Sequence, residues 1–191
     1  MSRGIRLKEL VDHLFELVQN SIKANALEVY IGVYEERIYD RFRIVVEDNG
    51  KGMKEEYITR LSDPFFTKRG ISRRKVGMGL ALLFQDCEQA GGEVRIRSKP
   101  GVGTKVEAIF EYDNIDRPPL GDLKDLFVTI LSLEDRHIRW TIEHRIDRRG
   151  YKRDLARIKK DTGRESFSTK YAREDLERYL NRLESKFDDM D

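Results

Sequence analysis

Between residues 5 and 112 the spacing of apolar residues changes period several times, and the order of those changes constrains the fold more than composition does. Leu7, Val11, Leu14, Val18 and Ile22 recur at three- and four-residue steps, so 5–24 is expected to form an amphipathic helix. Its other side carries Glu9, Asp12, Glu16, Asn20 and Lys23, and His13 is placed on that polar side too. Leu27, Val29, Ile31 and Val33 then alternate with polar or small residues, as do Phe42, Ile44 and Val46. Two adjacent half-buried strands of this kind suggest a hairpin. Residues 53–75 read as irregular. A helical pattern returns over 80–90 and stops at Gly91-Gly92, a strong helix terminator. Residues 93–98 and 105–112 alternate again, joined by the turn Lys99-Pro-Gly-Val-Gly-Thr104. Strands that read as hairpins agree with a largely antiparallel sheet.

The pattern changes near Asn114. Arg117-Pro118-Pro119 resembles a linker, 123–133 a short helix, and 138–146 a strand with Ile146 out of step. A basic run follows over 145–160, read as a solvated helix face in preference to a docking surface for an acidic partner or nucleic acid. Residues 172–187 carry Leu176, Tyr179, Leu180, Leu183 and Phe187 on one stripe, expected to pack on the domain or on a second subunit. The expected division is therefore 1–113 and a charged α/β or helical extension over 114–191. Charged residues are 38 % of the 191, against about a quarter ordinarily. They concentrate in the extension, where 18 Lys/Arg and 17 Asp/Glu fall within 114–191. Such a surface fits either a solvated appendage or a heat-adapted, thermophile-like lattice of ion pairs, and the five Asn and three Gln lean toward the second.

With 37 Lys+Arg against 35 Asp+Glu the charges nearly cancel, which argues against a nucleic-acid coat. No run of about 18 apolar residues is present, so no membrane helix is expected. The N-terminal stretch lacks the apolar core of a signal peptide. Cys87 is the only cysteine and fits a cytoplasmic setting.

Four short segments carry chemistry. Glu16 and Asn20 lie four apart on one helix face. A carboxylate there can position or deprotonate a nucleophile, and an amide oxygen one turn on can ligate a hard cation such as Mg²⁺. Asp48-Asn-Gly50-Lys-Gly52-Met53 follows a strand, its glycines allowing close approach of backbone to a ligand. Gly77-Met-Gly79-Leu80 opens a helix, whose free N–H groups suit an anion. It is preceded by a loop carrying Lys68, Arg69, Arg73, Arg74 and Lys75. Gly101-Val-Gly103-Thr104 begins a strand. Each segment alone has an ordinary structural explanation.

In this order, Glu-x-x-x-Asn, Asp-x-Gly-x-Gly, Gly-x-Gly-Leu and Gly-x-Gly-Thr resemble the signature of the GHKL ATPases. That superfamily includes gyrase B subunits, the ninety-kilodalton heat-shock chaperones, histidine kinases and MutL-type mismatch-repair proteins. Asp63-Pro-Phe-Phe-Thr-Lys68 also resembles the aromatic motif before the lid of histidine kinases. The resemblance spans about residues 5–112 and implies the Bergerat α/β sandwich, with helices on one face of the sheet.

By that resemblance the cofactors are ATP and Mg²⁺. Asn20 corresponds to the Mg²⁺ ligand and Asp48 to the reader of the adenine amine, supported by Thr104. Gly50 and Gly52 let the chain pass the nucleoside. Gly77 and Gly79 contact phosphate, with Lys68, Lys75 and Lys23 supplying charge, and Met53 and Leu80 complete the binding set. Glu16 takes the place of the general base, which activates water in the hydrolytic branch and a protein hydroxyl in the serine-kinase branch. The first motif is worded as in gyrase and mismatch-repair proteins, where Asp usually stands at the site of Lys23; Lys23 itself is worded as in histidine kinases. No acceptor motif surrounds His13, and no transducer domain is expected after Tyr112. The expected function is a stand-alone kinase or ATP-dependent switch acting on a protein partner, with a homodimer allowed. The alternatives are an ATPase whose cycle drives dimerisation or closure, and a non-catalytic nucleotide-binding interaction module.

Overall fold

The computed structural model describes residues 9–61, 78–133 and 137–187. Helix α1 spans Leu10–Lys23. It starts later than the periodicity suggests because Glu9 is extended, at φ −137° and ψ 155°. Its first amides are satisfied by the chain rather than by a further helical turn: Leu10 and Val11 donate to the carbonyls of Pro119 and Leu120 at 2.8 and 3.0 Å. The buried stripe is wider than expected, since His13 is 1 % exposed. Its Nε2 lies 2.8 Å from Asp86 Oδ2 on the next long helix, and this pairing makes burial of an imidazole tolerable. His13 thus faces the interior, not the polar side.

Strands β1 (Glu28–Glu36) and β2 (Arg41–Asp48) form the expected hairpin. The stretch after the Asp48 turn is not wholly irregular, for Glu55–Leu61 forms the short helix α2. Two acidic residues in its first turn favour the positive end of the helix. Helix α3 (Met78–Gln89) leads through Gly91-Gly92 into β3 (Glu93–Lys99) and β4 (Gly103–Glu111). Helix α4 (Leu123–Leu131) then crosses to β5 (Arg139–Ile146).

The six strands lie in the order β3-β4-β2-β1-β5-β6, with β6 over Arg149–Asp154. Every pair is antiparallel except β1 with β5. The parallel pair exists because α4 carries the chain back across the sheet, the connection that parallel strands require. Alternation sorts the side chains. Val29, Ile31, Val33, Ile44, Val46, Val106, Ala108, Trp140 and Ile142 face the helices and are buried. Charged residues dominate the other face.

Residues beyond 114 thus extend the same sheet. The basic run is not one helix. It covers the end of β5, a turn, β6 and the first part of α5 (Leu155–Thr162). Helix α6 (Lys170–Glu184) buries Leu176, Tyr179, Leu180 and Leu183. Each fully buried leucine contributes about 1.5–3 kcal/mol. One apolar cluster runs from Leu10 through Phe127 and Trp140 to Leu183.

The end of α6 is locked onto the sheet by His144 of β5, which is 4 % exposed. Its Nδ1 lies 3.0 Å from Glu184 and its Nε2 3.3 Å from Glu35. Tyr151 donates to Glu184 at 2.6 Å and Tyr112 to Glu35 at 3.0 Å. Burial alone would lower the His144 pKa, but the bonds to Glu184 and Glu35 outweigh it and raise the value to about 9. Burial pushes Glu35 upward, and its bonds from His144 and Tyr112 reverse that and hold it below the ordinary carboxylate range. A histidine whose pKa is raised on folding stabilises fully below its unfolded value of about 6.5 and ceases to do so as pH rises through the folded value. Urea unfolding is therefore expected to lose up to about 3 kcal/mol between roughly pH 7 and pH 10. In His144→Gln that slope should flatten; an unchanged slope would refute the clamp.

Candidate functional site

The turn Asp48–Gly52 leaves β2 between the C-terminal end of α1 and the β3–β4 turn, and both neighbours hold it. Ser21 Oγ on α1 donates to Asp48 Oδ2 at 2.7 Å. The Gly50 amide donates to Asp48 Oδ1 at 2.8 Å. Both carboxylate oxygens are thereby aimed, while Asp48 itself remains half-buried rather than sealed. The Lys51 amide donates to the Ala24 carbonyl at 2.9 Å, and the Gly101 amide to the Lys51 carbonyl at 2.8 Å. Asn49 Oδ1 accepts from the amides of Leu27 and Glu28 at 2.8 and 2.9 Å, closing the start of β1 over the turn.

Two glycines are required sterically. Gly52 has φ +65°, and a Cβ there would fall 2.0 Å from the Lys99 carbonyl oxygen. Gly103 has φ +139°, and its Cβ would fall 1.9 Å from the Asp48 carbonyl oxygen. Any side chain at either position would push the β3–β4 turn off the Asp48 turn. Gly103 leads directly to Thr104, which pairs with Asp48 across the β2–β4 ladder on the helix-covered face. Thr104 Oγ1 lies 2.8 Å from Ser98 Oγ, and Ser98 also accepts from the Met53 amide at 2.8 Å. Met53 packs half-buried against the core. Asp48, Gly50, Gly52, Met53 and Thr104 therefore converge.

Glu16 and Asn20 lie one turn apart on α1, both half-buried, with Ser21 beside them. Gly79 in the first turn of α3 is buried against Glu16: a Cβ there would lie 3.0 Å from Glu16 Cβ and 3.3 Å from its Oε2. The absent side chain lets the start of α3 approach the carboxylate, while the His13–Asp86 pair ties the same two helices together one turn away. Leu80 is buried beneath, in the core. Among the described residues, the side chains of Glu16 and Asn20 make no hydrogen bond or ion pair. A carboxylate and an amide oxygen without partners, beside a helix start, have the chemistry of hard-cation and phosphate contacts. Lys23 is exposed in the last turn of α1. Lys68, Lys75 and Gly77 lie outside the described residues, as do the aromatic motif and the basic loop.

Sequence reasoning missed Ser21, Ser98 and Asn49, which bind nothing in the expected scheme but hold what does. Ser21 and Asn49 had a local signal, following Asn20 and Asp48 directly, but the Ser21 partner is 27 positions away and those of Asn49 are 21 and 22. Among the described residues no helix is long and apolar enough to cross a membrane, and none forms a cluster of three or more His, Cys, Asp or Glu able to hold a metal.

The family described as "Histidine kinase-, DNA gyrase B-, and HSP90-like ATPase" matches residues 6–114. The autoinducer 2 sensor kinase/phosphatase LuxQ of Vibrio cholerae is 26 % identical over 152 residues, covering 71 % of this chain and 17 % of that protein. The sensor protein kinase FleS of Pseudomonas aeruginosa is 36 % identical over 95 residues, covering 50 % of this chain and 23 % of its own length. The sensor histidine kinase YvrG of Bacillus subtilis is 31 % identical over 100 residues, or 51 % of this chain and 17 % of that protein. The chain thus spans less than a quarter of the length of these relatives. Among solved structures, the catalytic domain of histidine kinase ThkA overlays at a TM-score of 0.40 and 23 % identity, covering 56 % of this chain and 68 % of that one. With the family model matched over more than half of the chain and an open, mostly antiparallel sheet, the chain belongs to the histidine kinase-, DNA gyrase B- and HSP90-like ATPase family.

Proposed function

We propose that this chain binds Mg-ATP between α1, the Asp48 turn and the start of α3, and acts as a kinase or ATP-dependent switch on a protein partner. The observation that carries this reading is the pairing of an oriented carboxylate at Asp48 with Glu16 and Asn20, two side chains that make no hydrogen bond or ion pair among the described residues, with Glu16 against Gly79. When bound, Mg-ATP supplies a transferable phosphoryl group and a cation that neutralises its oxygens. Asp48 accepts a hydrogen bond from the adenine amine, its oxygens held in direction by Ser21 and Gly50. Thr104 supports that acceptor through its hydroxyl. Asn20 is the protein ligand to the cation through its amide oxygen. Lys23 and the start of α3 at Gly79 hold phosphate charge, and Gly77, Lys68 and Lys75 join them by their place in the motif order. Met53 and Leu80 provide apolar support.

Glu16 is the general base. It faces the start of α3 with a carboxylate that has no partner among the described residues, so it can take a proton from a partner's hydroxyl or, in a hydrolytic cycle, from water. Lys23 and the sensor-kinase relatives favour phosphotransfer over hydrolysis. The division near residue 114 separates the nucleotide-binding elements from the strand and helices that widen the sheet, and a homodimer or other protein partner completes the acting unit.

Replacing Asp48 by Asn places a donor where an acceptor is needed. Asp48→Asn should weaken ATP binding by about 2–3 kcal/mol, roughly thirty- to over a hundredfold. Calorimetry that finds unchanged affinity would remove Asp48 from the adenine contact.

The fate of the γ-phosphate tests the reaction. With γ-labelled ATP and a candidate partner, acid-stable label on serine marks a serine kinase, and acid-labile label on histidine marks the histidine-kinase branch. Glu16→Gln should slow turnover about a hundredfold or more while leaving ATP affinity near that of wild type. Release of inorganic phosphate without any labelled protein replaces phosphotransfer by a hydrolytic cycle.

A further inference from the structure

The face of the sheet opposite the helices carries a trough of about 990 Å³ at the same strand ends. Strand register explains its floor. Arg97 of β3 lies opposite Lys105 of β4, Lys105 opposite Glu47 of β2, and Glu47 opposite Tyr30 of β1. Tyr30 lies opposite Thr141 of β5, and Thr141 opposite Asp154 of β6. One polar row therefore crosses all six strands, and every member lines the trough. Leu155, Ala156 and Lys159 of α5 form one wall, and Val102, 60 % exposed, stands on the opposite rim.

The charges in this trough are unequal in their commitments. Glu47 pairs with Lys105 at 3.0 Å, and Glu28 pairs with Arg139. Asp154 accepts from the Arg157 amide at 2.8 Å as the cap of α5. Arg97, Lys99 and Lys159 have no ion pair among the described residues. Arg97 lies opposite Lys105 across the ladder, but Glu47 is engaged by Lys105, which leaves Arg97 without an anionic partner among the described residues. The free charge is positive, and apolar side chains lie at both margins.

From this arrangement we infer that the trough is a docking site for an acidic, partly apolar peptide segment of a partner protein. Arg97, Lys99 and Lys159 meet its carboxylates, and Val102, Leu155 and Ala156 meet its apolar side chains. A nucleic acid fits less well, because its evenly spaced phosphates would also fall over Asp154, which has no ion pair among the described residues, whereas a peptide can set an apolar side chain there. Asp48 and Thr104 also line the trough, so it adjoins the candidate nucleotide site, but by strand register their side chains fall on the alternate face from those of Arg97, Lys105, Glu47 and Tyr30. The inference does not rest on ATP binding.

The full chain is titrated with a fluorescein-labelled peptide of alternating glutamate and leucine, and anisotropy is recorded at low and high salt. Binding is expected, weakened by salt, and reduced about tenfold or more in Arg97→Glu/Lys159→Glu. Circular dichroism checks folding of that variant, and Lys99→Glu alone serves if the double change unfolds the chain. ATP titration of the same variants keeps the two sites distinguishable, since trough charges should leave nucleotide affinity unchanged. The inference is overturned if wild type does not bind the peptide, if the charge-reversed variants bind it equally well, or if an oligothymidylate binds more tightly than the peptide.

Discussion

The bond from Ser21 to Asp48 ties helix to sheet at the point where the candidate site converges. It joins the last full turn of α1 to the last residue of β2, so the amphipathic helix cannot rotate or slide without disturbing the carboxylate. The Gly50 amide holds the second oxygen, and the glycine turns below allow the β3–β4 connection to close against the first turn with no side chain between. Glu16 and Asn20 then project from α1 at a height set by that bond. Gly79 and the His13–Asp86 pair fix α3 against the same helix. The site's geometry is thus a consequence of a few contacts between elements remote in sequence.

The C-terminal third is part of the same packing problem. Adding β5 beside β1 makes β1 an interior strand, so Val29, Ile31 and Val33 lie under neighbours on both sides. The helices α4 and α6 then cover Trp140 and Ile142, and the Glu35–His144–Glu184 bridge fastens the end of α6 where β5 meets β1. Much of the excess charge of this region is engaged locally. Arg145 lies 2.5 Å from Glu143, and Arg157 pairs with Asp161 within one helical turn. Pairs whose cation lies largely in solvent contribute little individually, so the core and the His144 bridge, rather than these pairs, hold α6 in place.

Several elements were legible because their causes are local. The stripe Leu14, Val18 and Ile22 forms a helix for the reason its spacing suggests, and the alternation in 27–33 and 42–46 forms a hairpin with the inward residues buried. The stripe of α6 also reads correctly, because Leu176 and Leu180 are buried as their period requires. His13 was misread because a helical wheel sees only its own helix, and the partner that makes its burial tolerable is 73 residues away. The basic run was misread as one helix because charge dominates its composition. Its strand half is specified by pairing to β5, with Tyr151 beside His144.

By itself the sequence determined the order and period of α1, β1, β2, α3, β3 and β4, and a set of chemically distinctive residues in family order: Glu16, Asn20, Asp48, the paired glycines and Thr104. Those properties depend on neighbours a few positions away, or on recognising an ordered motif. Only the tertiary structure decided that Ser21 and Gly50 aim Asp48, that β5 enters beside β1, and that Arg97, Lys105, Glu47, Tyr30, Thr141 and Asp154 share one row. Each of those facts depends on register between strands or on contact between a helix and a distant turn. Register is set by which faces can be buried together, a condition on the assembled sheet that no single segment contains.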